Sequence, residues 1–470
     1  MKVALTGTID GLTRAAFRDR IAAAGHAYAP ALDDDVDALV VGERPLASKV
    51  TKAQRLGVEV VDWAGFVERM EGAAEPERLV PSAPVASTRP TIEELPEGLR
   101  VLDVVVPHRT AVVDPSRGAR VPPLEAFAHY TLDAPTLELL RFLGRAVRLR
   151  HPCLVEGATA TSKTSAIQYL AARLGQPVVR LNLNGQTDAT ELVGRYVPAE
   201  GGWRFQEGLV PQAMRHGWWL VLDEVNLAEP AVLERINPVL ERVPTLLLTE
   251  GDGTRLGPGG VPVHPAFRVF ATMNPAEYQG RSVLSPAWRD RFVATWHARP
   301  PGEPEIRHLL DRVVYGRQPA VEALGQWWAA PPSVGPAPYA ALADVAGMAT
   351  LLARIAALHA GLMAMASAAD GQVAALGAQR REPVVFTRRS LLGLLDALGE
   401  LTLVDPVTGR AEGLVEAPMR LLVDALEATY VQRVADADDR ARVRHLIRSL
   451  GLAAEGWVDP LVEEEPCSTP

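Results

Sequence analysis

Lysine is nearly absent from this 470-residue chain, standing only at Lys2, Lys49, Lys52 and Lys163. A coding bias toward arginine explains the general scarcity, yet each remaining lysine asks for its own reason. Cysteine is almost as rare. Cys153 and Cys467 lie far apart, which excludes a disulfide framework and a cysteine-based zinc site. His129, His151, His264 and His359 do not fall at metal-ligand spacings. No run reaches 18 continuous apolar residues, and the opening MKVALTGTIDG lacks the apolar core of a signal peptide. A cytoplasmic protein with no membrane partner is expected. There is no internal repeat, which argues against a solenoid. Positive charge is in deficit, 48 basic against 57 acidic residues, so non-specific coating of nucleic acid is disfavoured while a local basic patch stays open. What is present, 48% hydrophobic and 22% charged residues, suits a globular chain of two or three domains.

Residues 71–98, rich in Pro, Ala and Glu without a sustained period, read as a flexible linker. Before them, residues 1–70 alternate element types. KVALT suits a buried strand, and LTRAAFRDRIAAAG a helix stopped by Gly25. ALVVG is a second strand. SKVTKAQRLG is a helix with Ser48 as N-cap and Gly57 as terminator, followed by the strand VEVV. WAGFVERM closes the unit as a helix with Trp63 and Phe66 on one face.

On LTGTIDGLTR, LVVGE, SKVTKAQRLGVEVVD and Trp63, this unit resembles a BRCT domain of the type found in NAD-dependent DNA ligases. It departs in having Gly25-His26 where a Gly-Gly pair is common, and Val36-Asp37 where Thr/His is usual. BRCT domains bind phosphopeptides, DNA ends or one another. By the resemblance, a phosphate pocket falls on Thr6, Gly7 and Lys52, with Thr8 and Lys49 nearby. A hydroxyl, an amide and an ammonium can converge on oxygen anions; an ordinary strand end and a solvated helix face are the alternative.

The most informative stretch is HPCLVEGATATSKTSAIQYLAARLG. An apolar strand runs into Gly157, Ala158, Thr159, Ala160, Thr161, Ser162, Lys163 and Thr164, then into a helix ending at Gly175. In a P-loop, backbone N–H groups wrap phosphates at a helix N-terminus, a lysine reaches the β- and γ-phosphates, and a hydroxyl binds Mg²⁺. Lys163 and Thr164 fit those last two roles. Ser162 stands where glycine is standard, and a serine serves there if its φ is negative. Further on, WWLVLDEVNLA places Asp223 and Glu224 at the carboxyl end of an apolar strand buried on both faces. Asp223 suits Mg²⁺ and its water, Glu224 the general base. FRVFATMNP ends a third strand in Asn274, able to hold a water in line.

These segments, with LNLNGQTDATELVGRYVP and YQGRSVLSPAWRDRF, resemble in order the AAA+ ATPases of the dynein-related, MoxR- and midasin-like branch. The resemblance spans about 137–300, with a helical lid continuing to about 450. It implies ATP and Mg²⁺ as cofactors, Asn274 as sensor 1, and Arg291 as an arginine finger offered to a neighbouring subunit. Arg289 could exchange with Arg291. Arg389 aligns best with the sensor 2 arginine, with Arg388 adjacent. It further implies a ring, expected to be a hexamer, and a partner carrying a von Willebrand A domain.

The expected fold class is therefore α/β. A BRCT-like domain (1–70) and linker (71–98) precede a P-loop parallel-sheet domain with an N-terminal strap (99–300), a helical lid (301–450) and an acidic tail (451–470). Residues 99–136 read either as a strap on the core or as linker. LLLTEGDGTRLGPGGVPVHPAF reads as a β-hairpin with Arg255 and Leu256 at its tip, and GRYVPAEGGWRFQEG as an insertion that packs Trp203 and Phe205. The expected function is a ring-forming ATP hydrolase that remodels a protein or nucleoprotein, targeted through residues 1–70 to a phosphoprotein or DNA-bound partner. A nucleotide-switched scaffold and a GTP-driven nuclease subunit are the alternatives. A link to DNA repair rests on the resemblance of residues 1–70 alone.

Overall fold

A computed structural model describes residues 2–9, 14–23, 27–29, 36–42, 47–56, 58–62, 66, 87–108, 119–158, 161–275, 284–332, 334–345, 347–367, 375–377, 384–399 and 418–453. The chain divides into two compact units, Met1–Ala86 and Ser87–Pro470.

In the first unit, β1 (Lys2–Thr6), β2 (Ala27–Ala29), β3 (Ala38–Val41) and β4 (Glu59–Asp62) form a parallel sheet in the order β2-β1-β3-β4. Two helices, α1 (Arg14–Ala23) and α2 (Ala47–Leu56), alternate with them. Strand β2 is too short and too polar in setting for the apolar pattern to reveal it. Val3, Leu5, Phe17, Ile21 and Phe66 make the core of one layer, and Ala4, Leu39 and Ala53 that of another. Helix α2 begins at Ala47, so Ser48 lies within it and is not its N-cap. Gly25, His26, Gly57, Trp63 and the rest of the closing helix lie outside the described residues, Phe66 excepted.

The second unit is built on a five-stranded parallel sheet. Its strands are β9 (Cys153–Gly157), β10 (Val178–Asn182), β13 (Trp219–Asp223), β16 (Arg268–Met273) and β17 (Ala294–Ala298), in the order β10-β13-β16-β9-β17. Because side chains alternate across a strand, Cys153, Val155, Trp219, Val221 and Phe270 fill one face while Leu154, Leu220, Leu222, Val269 and Ala271 fill the other. Continuous apolar strands are the expected mark of a sheet covered on both sides.

Around this sheet lie α3 (Ala134–Leu149), α4 (Lys163–Arg173) and α5 (Leu209–His216). Asp133 caps α3, its Oδ1 accepting from the Thr136 N–H at 3.0 Å. The lid contributes α6 (Glu303–Tyr315), α7 (Met348–Ser367), α8 (Arg388–Leu398), α9 (Pro418–Leu426) and α10 (Ala437–Ser449). By length and composition α7 could cross a membrane, but it buries Leu352, Ile355, Leu358 and Leu362 in the lid's own core.

The linker boundary differs from the composition-based one. Residues 87–98 carry β5 (Ser87–Pro90) and β6 (Ile92–Leu95), and β6 pairs with β7 (Gly98–Val101), which pairs with β8 (Val104–Pro107). Leu99, Val101, Val104 and Val106 pack in the same cluster as α3, so residues 99–107 are a strap on the core and not linker. Strand β5 joins β18 (Val321–Ala323) and β19 (Gln326–Ala329), a hairpin that interrupts the expected helical lid. Polar, charged composition concealed these strands because they are short and only partly buried. Deleting residues 1–86 is therefore expected to leave the second unit's stability unchanged. Deleting 1–98 strips β5, β6 and the buried Ile92, and should cost at least about 2 kcal/mol, read from urea unfolding of the two truncations.

Two hairpins also depart from expectation. In β14 (Leu246–Leu247) and β15 (Arg255–Leu256), Leu256 is fully buried in the core, so Arg255 and Leu256 are strand residues and not the tip. In β11 (Gly194–Ala199) and β12 (Gly202–Glu207), Phe205 packs against the core but Trp203 is 72% exposed.

Candidate functional site

Parallel strands bring Gly157, Asp223 and Asn274 to the same carboxyl edge of the sheet. The registers Leu222↔Ala271 and Met273↔Glu156 align the three strand ends side by side. Strand β9 enters the phosphate-type loop at Gly157. A Cβ there would lie 2.7 Å from the Ala298 carbonyl oxygen and 3.0 Å from Thr161 Oγ1, so glycine lets the loop close against β17. Thr161 Oγ1 donates to the Ala158 carbonyl at 2.8 Å, while Thr159 and Ala160 lie outside the described residues. Helix α4 starts at Lys163 with no side-chain cap, which leaves first-turn N–H groups directed at the loop.

Ser162 adopts φ 58°, ψ 21°, correcting the negative φ expected of a serine there. Left-handed backbone disfavours a Cβ, which is why glycine is the usual occupant. Ser162→Gly should stabilise the chain by up to about 1 kcal/mol, seen as a higher urea midpoint. An unchanged or lower midpoint would show that no strain resides there.

Lys163 is buried, and its ammonium donates to the carbonyls of Gly157 (2.7 Å) and Ala158 (2.8 Å) and to Asn274 Oδ1 (2.7 Å). Asn274 Nδ2 donates to Glu224 Oε1 at 2.5 Å. A single amide thus links the lysine of one strand-loop to the acid of another. Glu224 sits at φ 58°, its backbone turning out of β13 as the strand ends. Asn226 Nδ2 donates to the Asn274 carbonyl at 2.7 Å and holds the two strand ends together.

Asp223 is buried and accepts from Thr164 Oγ1 at 3.0 Å and from Thr272 Oγ1 on Oδ1, and from Arg180 Nε at 2.8 Å on Oδ2. Thr272 and Arg180 were not anticipated. A lone arginine after the apolar pair Val178-Val179, one strand away from the acidic end, was the available signal. The donor set (Lys163, the uncapped α4 turn, Thr164 and Asp223) fits a magnesium-bound triphosphate in kind and charge.

Beside the loop lies a cavity of about 320 Å³ lined by Thr161 and Ser162, by Tyr130 and Asp133, and by lid residues that include Arg388. Arg388, and not Arg389, faces this space; Arg389 is exposed and does not line the cavity. Successive residues on a helix point about 100° apart. Arg388 stands three and seven residues before the buried Leu391 and Leu395, so it shares their inward face. Its guanidinium donates to the His129 carbonyl, and Nε has no hydrogen-bond partner among the described residues. Burial pushes its pKa down to about 10, against the opposing pull of Tyr130 and Asp133.

The two finger candidates lie between a buried pair, Trp288 and Phe292. Arg289 Nη2 donates to Glu156 Oε2 at 2.5 Å, next to Gly157, and Arg291 pairs with Glu241. Within this chain Arg289 is thus the one tied to the loop strand, and Arg291 the one held away from it.

In the first unit, Thr6 is buried at the end of β1, Gly7 has φ 87°, and Thr8 and Lys52 are exposed. Thr6, expected to lend its hydroxyl to a phosphate pocket, thus turns inward.

A parallel sheet with this strand order, a loop lysine and an Asp-Glu strand end defines a P-loop nucleotide-binding protein of the AAA+ class. Residues 152–292 match the AAA domain of the dynein-related subfamily, and residues 1–70 match the BRCA1 C-terminal (BRCT) domain. The chain is 39% identical over 185 residues to midasin of Dictyostelium discoideum, covering 39% of this chain and 3% of midasin. It is 31% identical over 183 residues to the denitrification regulatory protein NirQ of Pseudomonas aeruginosa, covering 39% of this chain and 66% of NirQ. With the aerobic cobaltochelatase subunit CobS of a Sinorhizobium it shares 34% identity over 150 residues, 43% of that protein. The chain thus carries an N-terminal BRCT domain and an AAA+ domain of the dynein-related, MoxR-like family. The matched stretch spans a small fraction of the midasins and under two thirds of NirQ and CobS.

Proposed function

We propose that the chain hydrolyses ATP as a subunit of a ring and uses the cycle to remodel a protein or nucleoprotein, with residues 1–70 as its targeting module. The observation that carries this reading is the Lys163–Asn274–Glu224 chain of contacts beside the Thr164–Asp223 pair. Bound ATP would supply the γ-phosphoryl group, and its Mg²⁺ would neutralise part of the phosphate charge. Lys163 and the first turn of α4 would hold the phosphates, and Thr164 and Asp223 the metal's shell. Glu224 would take the proton of a water that Asn274 holds in line. For Lys163 to reach phosphate it would exchange at least one of its present acceptors, Asn274 Oδ1 among them.

Arg291 would leave Glu241 and complete the site of a neighbouring subunit, making hydrolysis depend on assembly. A partner with a von Willebrand A domain, and a phosphoprotein or DNA-bound partner reached through Gly7, Thr8 and Lys52, complete the proposal. One relative's name describes it as a subunit of a chelatase, in keeping with work done inside a larger assembly. ATP turnover per subunit should rise with protein concentration in step with ring formation by light scattering. Turnover that is independent of concentration, in a chain that stays monomeric, would sink the ring reading.

A further inference from the structure

The cavity beside the loop extends from Thr161 and Ser162 to lid residues Ile306, Leu309, His359 and Leu391. Aliphatic walls of this kind suit a flat aromatic ring, and polar groups among them fix its orientation. His359, on α7, is 1% exposed, and its Nδ1 lies 2.9 Å from the hydroxyl of the fully buried Tyr430. A histidine in an aliphatic core is ordinarily filler. This one also lines a cavity, and its second nitrogen, Nε2, makes no hydrogen bond among the described residues.

The Tyr430 hydroxyl hydrogen has one acceptor among the described residues, His359 Nδ1. A buried O–H left without an acceptor costs about 1–3 kcal/mol, so Tyr430 donates and Nδ1 accepts. Burial pushes the His359 pKa down to about 4, so the ring is neutral near pH 7. A neutral imidazole with Nδ1 accepting carries its proton on Nε2.

We propose that His359 reads the nucleotide base, its Nε2–H donating to a ring-nitrogen acceptor of adenine, with Tyr430 as the positioning residue that holds the tautomer. Adenine presents an acceptor at N1, where guanine presents N–H, so two donors would face each other in a GTP complex. A site built around a donor rejects a base that offers it no acceptor, and the preference is for ATP. This assignment rests on the ATP-hydrolase reading above.

The test compares dissociation constants of ATP, GTP and inorganic tripolyphosphate, by calorimetry, for the full chain and three variants whose folding is checked by circular dichroism. His359→Leu should weaken ATP by about tenfold, leave tripolyphosphate unchanged and bring the ATP:GTP preference toward unity. His359→Gln, which keeps an N–H donor at similar reach, should restore most of the preference. Tyr430→Phe, nearly isosteric, should lose part of it by releasing the tautomer. If a folded His359→Leu chain binds ATP as tightly as the unaltered protein, the assignment is overturned. Equal loss of ATP and tripolyphosphate overturns it too, because that pattern marks a packing role. An unaltered chain that binds neither ATP nor tripolyphosphate overturns the ATPase reading and this assignment together, whereas an unchanged ATP:GTP ratio overturns this one alone.

Discussion

Glu224→Gln is expected to lower ATP turnover by about 10²–10⁴-fold while the nucleotide still binds. The substitution keeps the side chain's volume and its ability to accept from Asn274 Nδ2, now 2.5 Å from Glu224 Oε1. It removes only the carboxylate that can take a proton. Lys163, Thr164 and Asp223, which would hold the triphosphate and its metal, lie on other contacts and are untouched. Single-turnover phosphate release and equilibrium ATP binding, measured on the same preparation, separate the two effects. Turnover within about tenfold of the unaltered chain would remove Glu224 from the role of base. Loss of binding in parallel would mean that the substitution disturbed the Lys163–Asn274 link instead.

Arg291→Ala should have an effect at least as large, about 10³-fold or more, as arginine fingers do when they meet developing phosphoryl charge. The decisive form of the experiment is a mixture. An Arg291→Ala subunit keeps its own Glu224, and a Glu224→Gln subunit keeps its Arg291. If the finger acts in trans, mixing two inactive preparations restores measurable turnover. If it acts in cis, the mixture stays inactive. Arg289→Ala is the control, because Arg289 is tied to Glu156 of its own chain and Arg291 to Glu241. A mixture that recovers nothing, with an inactive Arg289→Ala chain, would transfer the finger's role to Arg289 within the subunit.

Which parts were readable follows from how local each feature is. The loop from Gly157 to Thr164 is contiguous, and strand, loop and helix declare themselves through periodicity and one buried lysine. Asp223, Glu224 and Asn274 could be read for a related reason: each ends an apolar run, and a parallel sheet gathers such ends at one edge. Arg388 was also within reach, since it shares the period of Leu391, Leu395 and Leu398, but adjacency to Arg389 obscured it. Arg180 and Thr272 were not. Their partner, Asp223, is reached across the sheet from neighbouring strands, and no spacing along the chain encodes that meeting.

The same distinction separates the two kinds of boundary. By itself, the sequence determined the two domain types, their order, the strand that carries each acidic or amide group, and the strand-loop-helix that carries Lys163. Those depend on apolar runs and turn residues a few positions apart. Tertiary structure alone decided that β5 and β6 belong to the second unit, that Ser162 takes a positive φ, that Thr6 turns inward while Thr8 faces out, and that Trp203 is exposed. Each of these is set by partners far away in the chain. Strand β5 is held by β19, and the Ser162 backbone by a loop closed against β17. Burial and strand pairing are properties of the assembled sheet, and a local pattern of residues does not contain them.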